Sequence, residues 1–226
     1  MANYLTTDTD LTAVADAIRE KGGTSAALAF PAGFVDAIGE IQTGGTDALA
    51  KRCEGTLTSY ESDMVTTITH SAFRDASELL AIKVHNCRQL VGGYLFYATK
   101  LSNIAFPNLI SVGIQSFSSI GATLNSIDLG ENLTTISQLA FSPNANFKAL
   151  ILRSPAVPSL GNINAFNGTP FASGGAGGTL YVPAALISAY QSATNWSTIL
   201  GYANNAVLPI EGSIYETQYA DGTPIS

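Results

Sequence analysis

A phenylalanine returns along this chain at nearly fixed spacing: Phe73, Phe96, Phe117, Phe141 and Phe166 are separated by 23, 21, 24 and 25 residues. A parallel apolar frame opens each unit, as Leu79-x-x-Ile82-x-Val84, Leu101-x-x-Ile104-x-Phe106, Leu124-x-x-Ile127-x-Leu129 and Phe147-x-x-Leu150-x-Leu152. A period in the twenties predicts a solenoid, because a unit this small can bury its apolar side only by stacking on its neighbours. Each unit is expected to supply a short strand at the frame and a turn. A second apolar pair such as Leu109/Val112 or Leu133/Ile136 follows, then a Phe-bearing turn that fills the far side of the core.

The ends of the array read differently. Thr56-Leu57-Thr58-Ser59-Tyr60 is expected to be a first strand capping the entry, with repeats over about 64–177. Leu180 follows Leu150 by 30 residues, and the excess falls at Ser173-Gly174-Gly175-Ala176-Gly177-Gly178, which reads as a protruding, flexible glycine loop. Beyond Pro183 a helix over 184–192, then Trp196 and a closing strand over 206–210, would supply the terminal cap that an open apolar end requires. The domain reading is a helical hairpin over 1–42, a linker over 43–47, the solenoid with its caps over 48–210, and a tail over 211–226 that is mobile or packs on a partner. In the hairpin, Asp10 caps a helix carrying Leu11, Val14, Ala15 and Ile18, and Pro31 opens a second with Phe34, Ala37, Ile38 and Ile41. Thr43-Gly44-Gly45-Thr46 is a flexible joint.

Composition narrows the function. Only 12% of the 226 residues are charged, so Ser, Thr, Asn and Gly must cover the surface, as suits an extracellular or particle-borne protein. With a net charge of −7 and ten scattered basic residues, the chain lacks the clustered cationic stripe that nucleic acid requires. No apolar run approaches membrane-spanning length, and Met1 to Asp8 has no basic segment before an apolar core, so neither membrane insertion nor a secretory signal is expected.

The chemistry is thin. Cys87 falls where Leu109 and Leu133 fall in later units, so a buried thiol is expected; with Cys53 it makes no disulfide framework. His85 lies near Cys87, but a nucleophilic pair needs an activated, exposed thiolate. His70 occupies the turn position of Gln138 and reads as a surface residue. Asp8-Thr9-Asp10 begins like a calcium loop, but Ala13 and Arg19 stand where glycine and glutamate are needed. Asp128 and Glu131 have no carboxylate pair fixed opposite them, and the Gly174–Gly178 stretch lacks a phosphate-loop lysine. No catalytic residue, cofactor or metal site is therefore expected.

Surfaces say more than motifs. Strand alternation turns Ile82 and Val84 inward and Ala81 and Lys83 outward. The same parity exposes Asn103/Ala105, Ser126/Asp128, Ala149/Ile151 and Thr179/Tyr181. This flat, nearly uncharged face either recognises a host polymer or packs on another protomer. The Phe-side turns, with Arg74, Tyr94 and Tyr97, are variable loops on a rigid scaffold, where recognition usually sits. Candidate recognition or interface residues are thus Lys83, Asn103, Asp128, Ile151, Tyr181, Tyr94 and Tyr97.

The frame Leu-x-x-Ile-x-Leu followed by Ile68-Thr69-His70-Ser71-Ala72-Phe73 or Ile136-Ser137-Gln138-Leu139-Ala140-Phe141 resembles the BspA-like leucine-rich repeats of bacterial surface and phage proteins. Leu180-Tyr181-Val182-Pro183-Ala184-Ala185, Ala189-Tyr190 and Asn195-Trp196 resemble the usual end of such arrays, so the likeness covers about 48–200. It implies an α/β repeat solenoid, right-handed or near-straight, preceded here by the small helical hairpin. The segment from Asp10 to Gly23 and then Phe30-Pro31-Ala32-Gly33-Phe34 is similar to the N-terminal module of tail and baseplate proteins from phages of Gram-positive bacteria. Together the resemblances imply a non-enzymatic tail or tail-fibre protein, made in the host cytoplasm and carried on the virion. Its hairpin would dock on other tail or baseplate proteins, and its solenoid would bind a host cell-surface polymer or protein. A homo-oligomer is expected, a trimer being common among tail fibres, although no heptad stretch dictates it. A structural baseplate component and a bacterial surface adhesin are the other readings.

Overall fold

A computed structural model describes residues 55–69 and 71–225, which lie within one compact unit. The expected hairpin and linker, Cys53, His70 and Asp8-Thr9-Asp10 lie outside the described residues.

Each of the first five coils contributes two short strands, and every coil-to-coil pairing is parallel because each turn of the chain returns in the same direction. Along one side, β1 (Ser59–Glu61) pairs with β3 (Ala81–Lys83), and β3 lies beside β5 (Asn103–Phe106). From β5 a five-stranded sheet runs through β7 (Ser126–Leu129), β9 (Ala149–Leu152) and β11 (Thr179–Val182) to β12 (Ala206–Pro209). Along a second side run β2 (Thr67–Thr69), β4 (Gln89–Val91), β6 (Ser111–Val112), β8 (Thr135–Ile136) and β10 (Ser159–Leu160).

The register carries the sequence period directly. Ile104 stands opposite Ile127, Ile127 opposite Leu150, and Leu150 opposite Leu180. These frame residues are buried, as are Leu109, Val112, Leu133 and Ile136. The first strand begins at Ser59 rather than Thr56, with Leu57 buried ahead of it.

The third side is the row of Phe-bearing turns. The rings stack from coil to coil: Phe73 on Phe96 at 5.7 Å, Phe96 on Phe117 at 5.8 Å, Phe117 on Phe141 at 5.8 Å and Phe141 on Phe166 at 5.2 Å between centroids. Tyr60 meets the stack at its entry and Trp196 closes it against Phe166. The turn backbones form their own ladder, in which the amides of Phe73, Tyr94, Ala98, Phe117 and Phe141 donate to carbonyls one coil on. In these turns the residues two before and two after the Phe turn left-handed: Ser71 and Asp75, Tyr94 and Ala98, Gln115 and Ser119 all have φ between 54° and 61°. None of them is glycine. Exposed Ala98 therefore carries the left-handed cost of a Cβ, and Ala98→Gly, which keeps the amide bond to Ser119, is expected to raise stability by about 0.5–1 kcal/mol in urea unfolding.

The glycine loop is a correction to the sequence reading. A Cβ on Gly178 would sit 2.5 Å from the Phe171 ring, one on Gly175 2.3 Å from the Pro170 carbonyl, and one on Gly177 2.1 Å from that of Asn204. Asn204 and Asn205 also bond the loop backbone at Gly175 and Gly178. Gly175, Gly177 and Gly178 thus form a packed corner where neighbouring backbone and ring approach too closely for a side chain, while Ser173, Gly174 and Ala176 are exposed.

The exit cap follows expectation. A 3₁₀ turn over Ala184–Leu186 leads into α1 (Ile187–Ser192), then α2 (Trp196–Leu200), and β12 adds in parallel to β11. Trp196 Nε1 donates to Pro158 O at 2.8 Å, and Asn195 Nδ2 to Leu160 O, closing the edge of β10 with side chains.

Residues 211–225, expected to be mobile or to pack on a partner, pack on the chain's own coil. A 3₁₀ turn over Ile214–Glu216 and an antiparallel bridge between Gln218 and Pro224 fold them into a strap that lies back along the first side of the coil.

Candidate functional site

The strap decides which surfaces are open. Ala81, Lys83 and Asn103 are exposed, as alternation predicts, but Ala105, Ser126, Asp128, Ala149 and Ile151 are buried. Asp128 and Ile151 are therefore not surface residues, because the strap covers the middle of the face. Ile151 packs with Ala149, Ile210, Tyr181, Tyr215 and Ala220. Tyr181 is half-buried, its ring edge-on to Tyr215 at 4.8 Å. Asn103 keeps its outward position, accepting from Ser126 Oγ at 2.6 Å and Asn125 Nδ2 at 3.3 Å.

A charged pair lies under the strap. Asp128 at the centre of β7 takes both arms of Arg153, which follows β9, with Nε to Oδ1 at 2.8 Å and Nη2 to Oδ2 at 2.7 Å. The Ala220 amide donates to the same carboxylate at 3.0 Å, while Arg153 Nη2 also donates to Gln218 O at 3.1 Å. Burial pushes the Asp128 carboxyl above its ordinary value, and the Arg153 fork holds it back. Tyr219 stacks over the guanidinium at 5.0 Å and meets the His85 ring at 5.7 Å. His85 Nε2 lies 3.0 Å from Asp221 Oδ2, and the Thr223 amide bonds Oδ1. Burial alone would raise the Asp221 carboxyl; the bonds from His85 and Thr223 outweigh it, and the net shift is downward.

His85 is thus committed to the strap and not to Cys87. The Cys87 thiol is fully buried, as expected, bonds the Gln89 carbonyl, and is pushed up by desolvation, the opposite of an activated nucleophile. Among the described residues no group of three or more His, Cys, Asp or Glu could hold a metal ion, and no helix is long and apolar enough to cross a membrane. Where the strap meets the coil turns it walls a cleft of about 370 Å³ with Asn108, Glu131 and Asn132 on one side and Glu211, Glu216 and Tyr219 on the other. Glu211 and Glu216 each spend an oxygen on a backbone amide, of Ala184 and Gly212, so both hold the strap's start in place.

The Phe-side turns carry the other candidates. Tyr94 and Tyr97 stand edge to face at 5.9 Å, with the Arg74 guanidinium 5.7 Å and 5.0 Å from their ring centres. Gln115 Nε2 donates to the Tyr94 hydroxyl at 2.8 Å, fixing that ring, and Arg74 Nε lies 3.4 Å from Asp75. Tyr97 opens onto a shallow trough of about 440 Å³ along the turn row, lined by Ala98, Ser119, Gly121, Asn144 and Gly168. Small residues make the trough: a Cβ on Gly121 or Gly168 would lie 2.7 Å from Thr99 O or the Pro143 side chain. Its floor is rigid, since buried Asn144 accepts from the Ile120 amide and donates to the carbonyls of Phe117 and Phe141.

The structure thus brings Tyr94 and Tyr97 together with Arg74 and leaves Lys83 and Asn103 on the open end of the other side. His85, Arg153, Tyr215, Tyr219 and Asp221 enter the picture only through the strap. No curated protein and no solved structure matches the chain. The family model for the BspA type leucine-rich repeat region matches residues 51–171 in six copies. That span is more than half of the 226 residues, and the chain belongs to the BspA-type leucine-rich repeat family.

Proposed function

We propose that this chain is a non-enzymatic binding protein of a phage tail that attaches to the bacterial host surface through its repeat coil. The observation that carries the binding role is the rigid Tyr94–Tyr97–Arg74 cluster opening on a trough of small residues. Aromatic faces beside a shallow, largely apolar groove of small residues suit the flat C–H faces of the sugar rings of a wall polysaccharide, and little ordering entropy is lost when the site is preformed. The phage assignment is supported by the resemblance of the segment from Asp10 to Phe34 to tail and baseplate modules. In that reading the first 42 residues attach to other tail proteins, and the chain is made in the host cytoplasm and carried on the virion, as an oligomer. A structural baseplate role and a bacterial surface adhesin remain the rival readings.

The test is binding of the full chain to whole host cells and to isolated wall polymer. Saturable binding is expected, weakened about tenfold by Tyr97→Ala and kept by Tyr97→Phe. No binding to cells or polymer would sink the receptor role and leave the structural one.

A further inference from the structure

The strap is attached in an unusual way. Among the described residues, the coil from β1 to β12 is held by backbone ladders between successive turns. The backbone–backbone hydrogen bonds of residues 213–225, by contrast, stay within 210–225: Ser213 to Ile210, Glu216 to Ser213, Tyr219 to Thr223, Gly222 to Tyr219 and Ile225 to Thr217. The strap is a self-contained hairpin that joins no strand edge. It is clipped on by side chains of four coils, those of β3, β7, β9 and β11, namely His85, Asp128, Arg153 and Tyr181. It can leave as a unit without breaking any sheet.

What it satisfies there is specific. Asp128 receives a backbone amide, Arg153 gives a bond to a backbone carbonyl and lies under an aromatic ring, His85 faces a carboxylate, and Tyr181 meets a second aromatic edge. A sugar has no backbone amide and no carboxylate spaced one residue beyond an aromatic ring; a peptide turn has all of them. We propose that the outer face of β3, β7, β9 and β11 is a peptide-binding surface, that residues 213–225 are its built-in ligand, and that its partner is a protein presenting an exposed aromatic–small–acidic turn like Tyr219-Ala220-Asp221. The strap then acts as a latch, and a partner segment of the same chemistry engages the face by displacing it. This site is separate from the Tyr97 trough and does not depend on the host-surface reading.

Two measurements on the full chain test it. Native-state hydrogen exchange should show the amides of Tyr219, Ala220 and Ile225 opening without those of β7 and β9, by a route insensitive to denaturant. A synthetic peptide of residues 213–225 should then be titrated to millimolar concentration against the isotope-labelled chain and against a Tyr219→Ala/Asp221→Asn variant with a weakened latch. The variant is expected to bind the peptide about tenfold more tightly than the wild type, because its face is more often vacant, with amide shifts centred on Asp128, Ile151 and Arg153. The same peptide carrying the two substitutions should not bind. Exchange of the strap amides only through global unfolding would overturn the latch. A folded variant that shows no shifts at those residues, or whose strap is displaced by wall polysaccharide and not by peptide, would overturn the peptide assignment.

Discussion

Phe117→Ala is expected to cost about 3–5 kcal/mol and to split the unfolding of the coil into two transitions. Phe117 is fully buried, stacked between Phe96 and Phe141 and packed on Phe106 at 5.6 Å. Its removal leaves a void at the middle of the stack, where no solvent or terminal residue can fill it. Because each coil stacks only on its neighbours, and among the described residues the strap spans several of them through side-chain clips, stability is close to a sum of unit and interface terms, and a weak interface in the centre uncouples the two ends. Such a loss is a large fraction of the roughly 5–15 kcal/mol that holds a domain together. The single tryptophan, Trp196, sits at the exit end against Phe166 and so reports that end alone. Urea unfolding followed by Trp196 fluorescence and by far-ultraviolet circular dichroism should therefore coincide in the wild type and separate in the variant. Coincident curves with the full loss would mean that the coil is one cooperative block and that the nearest-neighbour account is wrong. Phe73→Ala, at the entry end where the residue keeps 8% exposure against none for Phe117, should cost less and leave the Trp196 transition in place.

The same locality explains what the sequence makes legible. The inward frame from Leu79 to Leu152 is visible because each residue repeats the packing of its counterpart one coil away, so period and burial coincide. The exit cap is legible for a related reason, since an array with an apolar end must close it. The outer face is not, because alternation says only which side a residue faces and not what lies above it. What covers it comes from far along the chain: Ala220 reaches Asp128 across 92 residues and Asp221 reaches His85 across 136. No local pattern encodes such a contact. The signals available are Asp128 itself, an acid among small neutral outward residues, and Tyr215 and Tyr219 in a tail that otherwise reads as polar. The left-handed turns are illegible too, because Ser, Asp, Tyr, Ala, Gln and Leu occupy positions whose conformation favours glycine. There the coil-to-coil amide bonds and the Phe stack override local preference.

Arg153→Ala is expected to destabilise the protein by about 3–5 kcal/mol at neutral pH, since it leaves a buried carboxylate to the Ala220 amide and removes the ring support and carbonyl bond of the strap. The pH dependence separates these causes. Burial raises the folded-state value of Asp128 above the ordinary 3.8, and without the opposing Arg153 it should rise further. An acid raised on folding favours the folded state in its protonated form, so the stability it withholds is recovered as pH falls through the folded value toward 3.8. The deficit of the variant should therefore shrink on acidification. Asp221 works in the opposite sense: its net shift is downward, so its contribution is complete above 3.8 and is lost as pH falls below that toward its folded value. Since both proteins keep His85 and Asp221, comparing them above pH 3.8 isolates the Asp128 contribution. Adding Asp128→Asn to Arg153→Ala removes the buried charge and keeps an acceptor for the Ala220 amide, and it should restore stability at neutral pH relative to the single variant. If the deficit were the same across the acid range and Asp128→Asn gave no rescue, the loss would come from the strap contacts, and the buried charge would not be what Arg153 compensates.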